Sequence, residues 1–506
     1  MGWLSILLLG SIPFLLAFLS QGFASDEEVG RLQIARFAPE TPDLFLSLRG
    51  RPLVTLLFAG PAQFGLLPVR LLSALASLLC GFVVFETLRR GGLGRWAALG
   101  PVFLFAQPLF LGYSYTAMTE PWGALLLALF LWTSVPSPNA RLALVAMLLP
   151  LVRLEFVVLW PIVLWALLPN HRRSLLLVPL GLVVWMLLGV LATGDWGWFA
   201  AQAQWSEYKA PHTFHYFQGW SWGSGPLVVL LASLGLLFRP KTTTPRERSQ
   251  RLWLNAAFML LGLFLAYTAF ATWRPTSGGN LRYLAFAAPA LAVLSVFGAR
   301  ALWNHANRRG LLLGLLALFS LCLLVWSGVY RDDFRPSGKQ TWLPALVALG
   351  LVLVWFFRSR LVFAAVILAA AVAHQAAYHP NKLPWKASSE HLAIRDLAEQ
   401  APQSFIANAH PYFAYETGTN PFRHQTSLVQ HPQIPVGDYL LWETHYSARQ
   451  VHDLSPQDLL EDPTWSFSQG KIAHDRSWAG AIFKRVVNNE KAGGLEDNDQ
   501  IAWARE

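Results

Sequence analysis

The sequence predicts a polytopic α-helical membrane protein of about thirteen transmembrane helices, followed by a small soluble α/β domain. Three observations carry this. Apolar runs succeed one another through residues 1–378, only 13% of the chain is charged, and the positive charges collect in short clusters between the runs. A bilayer core needs roughly 20 apolar residues per helix, and most runs are of that length. The net charge of +10 belongs to this region, because residues 379–506 hold 11 Lys/Arg against 16 Asp/Glu. A basic excess confined to inter-span loops is explained by membrane topology and excludes nucleic acid as the partner. Cys80 and Cys322 lie inside apolar runs and form no disulfide framework.

The first run, Trp3–Ser20, has no Lys or Arg before it and is long for a signal-peptide core, so it reads as a retained span. The basic clusters Arg89/Arg90/Arg95, Arg141, Arg172/Arg173, Arg239–Arg251, Arg300/Arg308/Arg309 and Arg358/Arg360 contain sixteen Lys/Arg and one acid, Glu247. Under the positive-inside rule these loops are cytoplasmic. Spans then fall near 3–20, 66–88, 96–113, 120–135, 142–152, 155–169, 174–193, 223–238, 252–271, 281–299, 311–329, 341–357 and 361–378. The stretch 142–169 is read as two short spans turning at Arg153 and Glu155, which keeps every basic cluster on one side. The N-terminus is then inside and the C-terminus outside. This suits a plasma (inner) membrane, with an endoplasmic reticulum orientation and a luminal site as the alternative.

The first outer loop, 21–65, opens with Asp26-Glu27-Glu28. Ionised groups are costly near hydrocarbon, with ~2.5–3.5 kcal/mol for Asp at a helix centre, so an acid triplet beside a span marks either a solvated loop or a site. Residues 27–37 read as a short interfacial helix, and 52–65 as a stretch dipping into the membrane surface. Loop 194–222 carries Trp196, Trp198, Trp205, Trp220, Trp222, Tyr208 and Tyr216, either an aromatic belt at the headgroups or a stacking platform for sugar. His212-x-x-His215 in that loop has no identifiable third ligand. The sequence therefore assigns no metal site and no cofactor, leaving a divalent cation open.

From 379 the chain turns polar, with eight histidines. Ser388–Gln400 reads as an amphipathic helix with a Ser-Ser cap. Ser404–Ala409, Asp438–Trp442, Trp465–Ser468 and Ala481–Val487 read as strands of an extracytoplasmic domain, 379–506, with a loose tail.

This topology places Asp26, Glu27, Arg31, Arg49, Arg51, Arg70, Glu120, Arg153, Glu155, Arg274 and Arg282 at one membrane face. Singly, each has a bland explanation as a cap, an anchor or a snorkelling side chain. Together they suit a water-filled site, with guanidinium groups for a phosphate and a carboxylate for a general base. Arg51, Arg70, Arg153 and Arg282 are the candidate phosphate ligands. Asp26, Glu27 and Glu120 are the candidate catalytic carboxylates. Sugar transfer from a lipid phosphate needs these parts alone, because the leaving phosphate requires no proton.

Several short motifs point the same way. Asp26-Glu27 followed by Ile34-Ala35-Arg36 resembles the first outer loop of the GT-C class of glycosyltransferases, specifically the aminoarabinose transferases and protein O-mannosyltransferases. Arg49-Gly50-Arg51-Pro52-Leu53, Phe64-Gly65, Arg70-Leu71-Leu72-Ser73-Ala74-Leu75, Met118-Thr119-Glu120 and Arg282-Tyr283 with Pro289 are similar to that group's later segments, in order, over residues 3–300. The chain departs from it in having Arg51 before a single proline, where a lysine before two is common, and Glu120 where Asp is frequent. The resemblance implies a polyprenyl-phosphate-sugar donor, inversion at the anomeric carbon, an extracytoplasmic acceptor (lipid, glycan or protein), Asp26 as base with Glu27 as the alternative, and Arg51 and Arg282 on the donor phosphate. A transporter or flippase of lipid-linked sugars and a polysaccharide polymerase or ligase are the alternatives.

Overall fold

The computed structural model describes residues 2–135, 140–202, 216, 219–220, 223–237, 246–273 and 281–304, scattered helical positions between 346 and 373, then 387–402, 406–407, 410–422, 434–445, 447 and 455–487. The expected spans at 311–329 and most of 341–357 and 361–378 lie outside the described residues, as do Arg274 and the His212/His215 pair. The chain divides into two compact units: Met1–Leu19 with Phe45–Leu383, and Ser20–Leu44 with Pro384–Glu506. The second unit therefore includes part of the first outer loop, which the sequence assigns to the membrane region.

Among the described residues of the first unit, four helices are long and apolar enough to cross a membrane: Leu66–Arg90, Arg172–Thr193, Arg248–Ala269 and Leu281–Asn304. Shorter apolar helices include Pro52–Ala62, Glu120–Thr133, Ala140–Val152, Leu154–Leu167 and Pro226–Leu237. The first apolar run bends at Ser11 into Gly2–Gly10 and Ile12–Leu19, and Trp3 packs on Phe82 and Phe85 of the helix Leu66–Arg90, at 5.1 and 5.8 Å.

Two breaks interrupt the expected helices. The expected span 96–113 is interrupted between Leu99–Phe105 and Pro108–Tyr113. Proline has no N–H and pushes the preceding residue out of helical geometry, and Gln107 is extended (φ −80°, ψ 118°). The Gln107 amide then donates to the carbonyls of Phe103 and Ala288 at 3.1 and 2.9 Å, satisfying backbone groups that an apolar interior cannot. The second break is at Arg153 (φ −150°, ψ 119°), between Ala140–Val152 and Leu154–Leu167. The two arms pack on each other, with the Trp160 indole donating to the Ala146 carbonyl at 3.4 Å.

The helices Pro226–Leu237 and Ala288–Asn304 cross at two glycines. A Cβ on Gly298 would strike the Leu231 carbonyl oxygen, and one on Gly235 the Leu294 carbonyl oxygen, so only hydrogen permits this approach. Ser295 donates across the crossing to Val228 O at 2.9 Å. Small residues and an interhelical hydrogen bond are how helices associate where lipid removes the hydrophobic drive.

The second unit is built on a four-stranded sheet in the order β1 (Ile406–Ala407), β2 (Tyr439–Glu443), β4 (Ala479–Arg485), β3 (Trp465–Ile472). β1 runs parallel to β2 and the other pairings are antiparallel. Strand alternation gives the sheet two apolar faces. Leu441 and Ile482 join Val29, Ala393, Ile394, Leu397, Tyr412, Phe413 and Trp478 on one face. Leu440, Trp442, Ala481 and Phe483 join Ile434, Leu459 and Trp465 on the other. The helix Ser389–Glu399 opens at Ser388, whose side chain accepts the His391 N–H at 3.1 Å, the cap expected there.

The helix Asp26–Phe37 belongs to this unit. Val29 is fully buried in the sheet core, Phe23 stacks on Tyr412 at 5.1 Å, and the Gln33 amide donates to Pro411 O at 3.0 Å. The sequence reads this segment as an interfacial helix, whereas the structure gives it a protein core to pack on. Charge and short length carry no information about a partner almost 400 residues away.

Candidate active site

In the first unit the backbone breaks bring charge together. Arg153, extended between two helices, donates through Nη2 to Glu155 Oε1 at 2.6 Å, so the two groups pair across the turn instead of along a helix face. Its guanidinium carbon lies 4.4 Å from the Tyr283 ring centre and 5.3 Å from that of Phe286. Arg282, in the tight turn Leu281–Ala287, has Nε 3.3 Å from Oε1 of Glu120, the first residue of Glu120–Thr133. These two side chains are 3% and 2% exposed, so this is an ion pair removed from water. Removing one partner of such a pair costs about 3–5 kcal/mol, because the other charge stays buried.

Arg51 stands within electrostatic reach of Glu155. It precedes the helix Pro52–Ala62 with φ 69° and ψ 116°, a conformation L-residues rarely adopt. Such strain costs about 1–3 kcal/mol and persists where the surroundings fix the residue for a purpose. Tyr216, Tyr267 and Tyr283 form an aromatic tier beside these charges, with ring centres 5.5 Å apart for the first pair and 5.4 Å, stacked, for the second. Arg70 is buried on Leu66–Arg90 and lies 5.9 Å from the Tyr115 ring centre.

In the second unit, the three acids of the helix Asp26–Phe37 have distinct surroundings. Glu28 is fully buried and accepts the Ala24 N–H at 2.7 Å, closing the helix start. Glu27 pairs with Arg31 one turn on, at 3.3 Å. Asp26 Oδ1 accepts the Glu27 N–H at 2.8 Å. Asp26 also lies within electrostatic reach of Tyr412, whose phenol is held well above its ordinary range by burial and then by the charges of Asp26, Glu390 and Glu28.

The crystal structure of ArnT from Cupriavidus metallidurans bound to undecaprenyl phosphate is similar to this chain with a TM-score of 0.63 and 16% identity, covering 95% of this chain and 98% of ArnT. The apo state of the same ArnT gives 0.61 and 14%, with the same coverage. ArnT is an aminoarabinose transferase of the GT-C class. The present chain has a GT-C-like fold. No family model matches the chain, and no curated protein matches it in sequence.

Within this GT-C-like fold, the residues singled out from the sequence fall in both units. Asp26 and Glu27 lie in the second, and Arg51, Arg70, Glu120, Arg153 and Arg282 in the first. The pairing of Glu120 with Arg282 spans 162 positions and has no signature in the sequence. Tyr267, near the end of the apolar helix Arg246–Trp273, gave no signal at all, whereas Tyr283 was marked by its neighbour Arg282.

Three groups that the sequence did not single out lie together in the second unit, and their ligand atoms, all within 4.8 Å of one another, can hold a divalent cation: Glu390, His410 and His445. Glu390 Oε1 is 3.0 Å from His410 Nε2 and 2.8 Å from His445 Nδ1. His410 Nδ1 accepts the Tyr412 N–H at 3.2 Å, which puts the ring proton of a neutral imidazole on Nε2, facing Glu390. A metal-binding histidine ordinarily donates its second N–H instead. As it stands, the cluster is a hydrogen-bonded clamp joining Ser389–Glu399, Pro411–Glu416 and the turn after β2.

Burial alone would raise the Glu390 carboxyl, but its bonds to His410 and His445 dominate and bring it down to about 2. Its folded pKa is depressed, so the stabilisation is present above the ordinary value of 4.5 and is lost as pH falls toward 2. Glu390→Gln is expected to cost about 2 kcal/mol at pH 7, allowing for solvent screening, and nothing near pH 2. Hydrogen-exchange protection of the helix Ser389–Glu399 measures this. Equal protection of variant and wild type at pH 7 contradicts it.

Proposed function

We propose that this protein is an integral-membrane glycosyltransferase that moves a sugar from a polyprenyl-phosphate donor to an acceptor on the extracytoplasmic side of the plasma membrane. The observation that carries this is the pair of buried arginines Arg153 and Arg282, with Glu120, Glu155 and the half-buried Arg51, in a chain of GT-C-like fold. Arginines in a water-poor site are suited to a phosphate that gains charge as a bond to it breaks.

In the reaction proposed, the acceptor hydroxyl oxygen attacks the anomeric carbon opposite the phosphate, and the anomeric C–O bond to phosphate breaks with inversion. The acceptor proton passes to Asp26, and the electron pair leaves on the phosphate, where Arg51, Arg70, Arg153 and Arg282 stabilise it. No general acid is needed, unlike the paired carboxylates of glycoside hydrolysis. Asp26 is taken as the base on the resemblance of the first outer loop to that of the GT-C transferases, with Glu27, which pairs with Arg31 at 3.3 Å, as the alternative. Glu120 and Glu155 hold the arginines in place before the donor arrives. The second unit helps to select or cover the acceptor.

The experiment is transfer of label from a panel of radiolabelled polyprenyl-phosphate sugars to an envelope extract, with purified protein in lipid nanodiscs. Label reaching an acceptor from at least one lipid donor, and none from nucleotide sugars, is the expected result. Transfer from nucleotide sugars alone contradicts the donor class.

A further inference from the structure

We infer that the tier formed by Tyr216, Tyr267 and Tyr283, with Glu155, Arg153 and Trp220, is a subsite for an uncharged, hydroxyl-bearing sugar ring. This rests on the function proposed above and specifies the glycosyl group of its donor. Buried polar groups in folded proteins are almost always hydrogen-bonded, and each one left unmade costs about 1–3 kcal/mol. Among the described residues, four buried atoms in this region have no hydrogen-bond partner: the Tyr267 hydroxyl, Trp220 Nε1, Arg153 Nε and Glu155 Oε2. They belong to one neighbourhood. Tyr267 stacks between Tyr216 and Tyr283, Arg153 lies over the Tyr283 ring, and Trp220 packs on Phe264, one turn from Tyr267, at 5.0 Å. Glu155 and Arg153 both lie within electrostatic reach of the Tyr216 and Tyr267 hydroxyls.

Unmet hydrogen bonds beside buried aromatic rings match the chemistry of a sugar, which offers hydroxyls on its edges and C–H groups on its face. The balance of donors and acceptors narrows the class. Trp220 and Arg153 offer N–H, Tyr267 offers O–H, and Glu155 Oε2 is the acceptor that none of them engages. Sugar hydroxyls both accept and donate, so they can satisfy all four atoms. An ammonium group only donates, so it would leave the N–H groups unmet and stand close to Arg153 and Arg282. A carboxylate would face Glu155. An uncharged ring avoids both conflicts.

Tyr267→Phe tests this in the full-length protein in nanodiscs, because it removes the hydroxyl and keeps the ring. Two readouts are taken beside thermal unfolding: affinity for bare polyprenyl phosphate, and kcat/KM for polyprenyl-phosphate donors carrying a neutral hexose or an amino sugar. A site built to hydrogen-bond a hydroxyl discriminates strongly when the bond is lost, so kcat/KM for the neutral-sugar donor is expected to fall at least about tenfold. Affinity for the bare lipid phosphate is expected to stay as in wild type. Tm is expected to hold or rise, because the hydroxyl has no partner to lose. Unchanged kcat/KM for the neutral donor, or wild-type preference for the amino-sugar donor, overturns the subsite and leaves the transferase reading standing. Failure of wild type to bind polyprenyl phosphate or use any lipid donor overturns that reading itself. A lowered Tm with unchanged kcat/KM marks the hydroxyl as structural and also overturns the subsite.

Discussion

Asp26→Asn is expected to lower the transfer rate by roughly 10²- to 10⁴-fold while leaving donor affinity within about twofold of wild type. The asymmetry follows from the roles proposed. A general base acts on the acceptor proton in the transition state, whereas the arginines hold the donor phosphate in ground and transition states alike. Asparagine keeps the size of the side chain and can still accept the Glu27 N–H through its amide oxygen, so the start of the helix Asp26–Phe37 is preserved. Glu27→Gln separates the two acids. It breaks the pair with Arg31, which is worth little at a side chain 30% exposed, and should cost far less activity. Single-turnover rates and equilibrium binding of the donor measure both effects. A variant Asp26→Asn as fast as wild type removes Asp26 as base, and a slow Glu27→Gln beside it transfers the role.

Glu120→Ala is expected to destabilise the protein by about 3–5 kcal/mol when no lipid phosphate is present, because it removes a counterion 3.3 Å from an arginine that is 3% exposed. The proposed function adds a second consequence. If Arg282 meets the donor phosphate, the phosphate can replace the missing carboxylate. Added polyprenyl phosphate should then raise the Tm of Glu120→Ala by more than that of wild type, by linkage to a tighter complex. Glu120→Ala with Arg282→Met should recover part of the stability without the response to lipid. Equal shifts in wild type and Glu120→Ala would show that Arg282 does not exchange one anion for the other.

The sequence disclosed those parts of the fold that depend on local pattern. Apolar period and length located helices among the described residues, four of them long and apolar enough to cross a membrane, and β-alternation located β2, β3 and β4 to within a few residues, because each strand carries its own two-sided signal. The Ser388 cap was legible for the same reason, and the break at Arg153 from the need to keep every basic cluster on one side of the membrane. Contacts between distant segments were not. The helix Asp26–Phe37 docks on residues of the second unit through Phe23, Val29 and Gln33, and none of these stands out against a charged loop. Likewise Arg282 and Glu120 were each visible as a charge in an apolar setting, but their partnership was not. Tyr267 looked like one more aromatic in a span, and only its unmet hydroxyl marks it. The chain breaks at Gln107-Pro108 could have been anticipated from the proline, which the unbroken hydropathy of 96–113 masked.

The central claim is that the buried arginines receive a lipid phosphate. The most direct measurement is equilibrium binding of polyprenyl phosphate, compared with the same polyprenol lacking phosphate, to wild type and Arg282→Ala in nanodiscs. Both lipids bury the same chain, so any difference reports the phosphate alone. The claim requires wild type to bind the phosphate at least about tenfold more tightly than the alcohol, and Arg282→Ala to lose most of that margin. Equal affinity of wild type for the two lipids would contradict it.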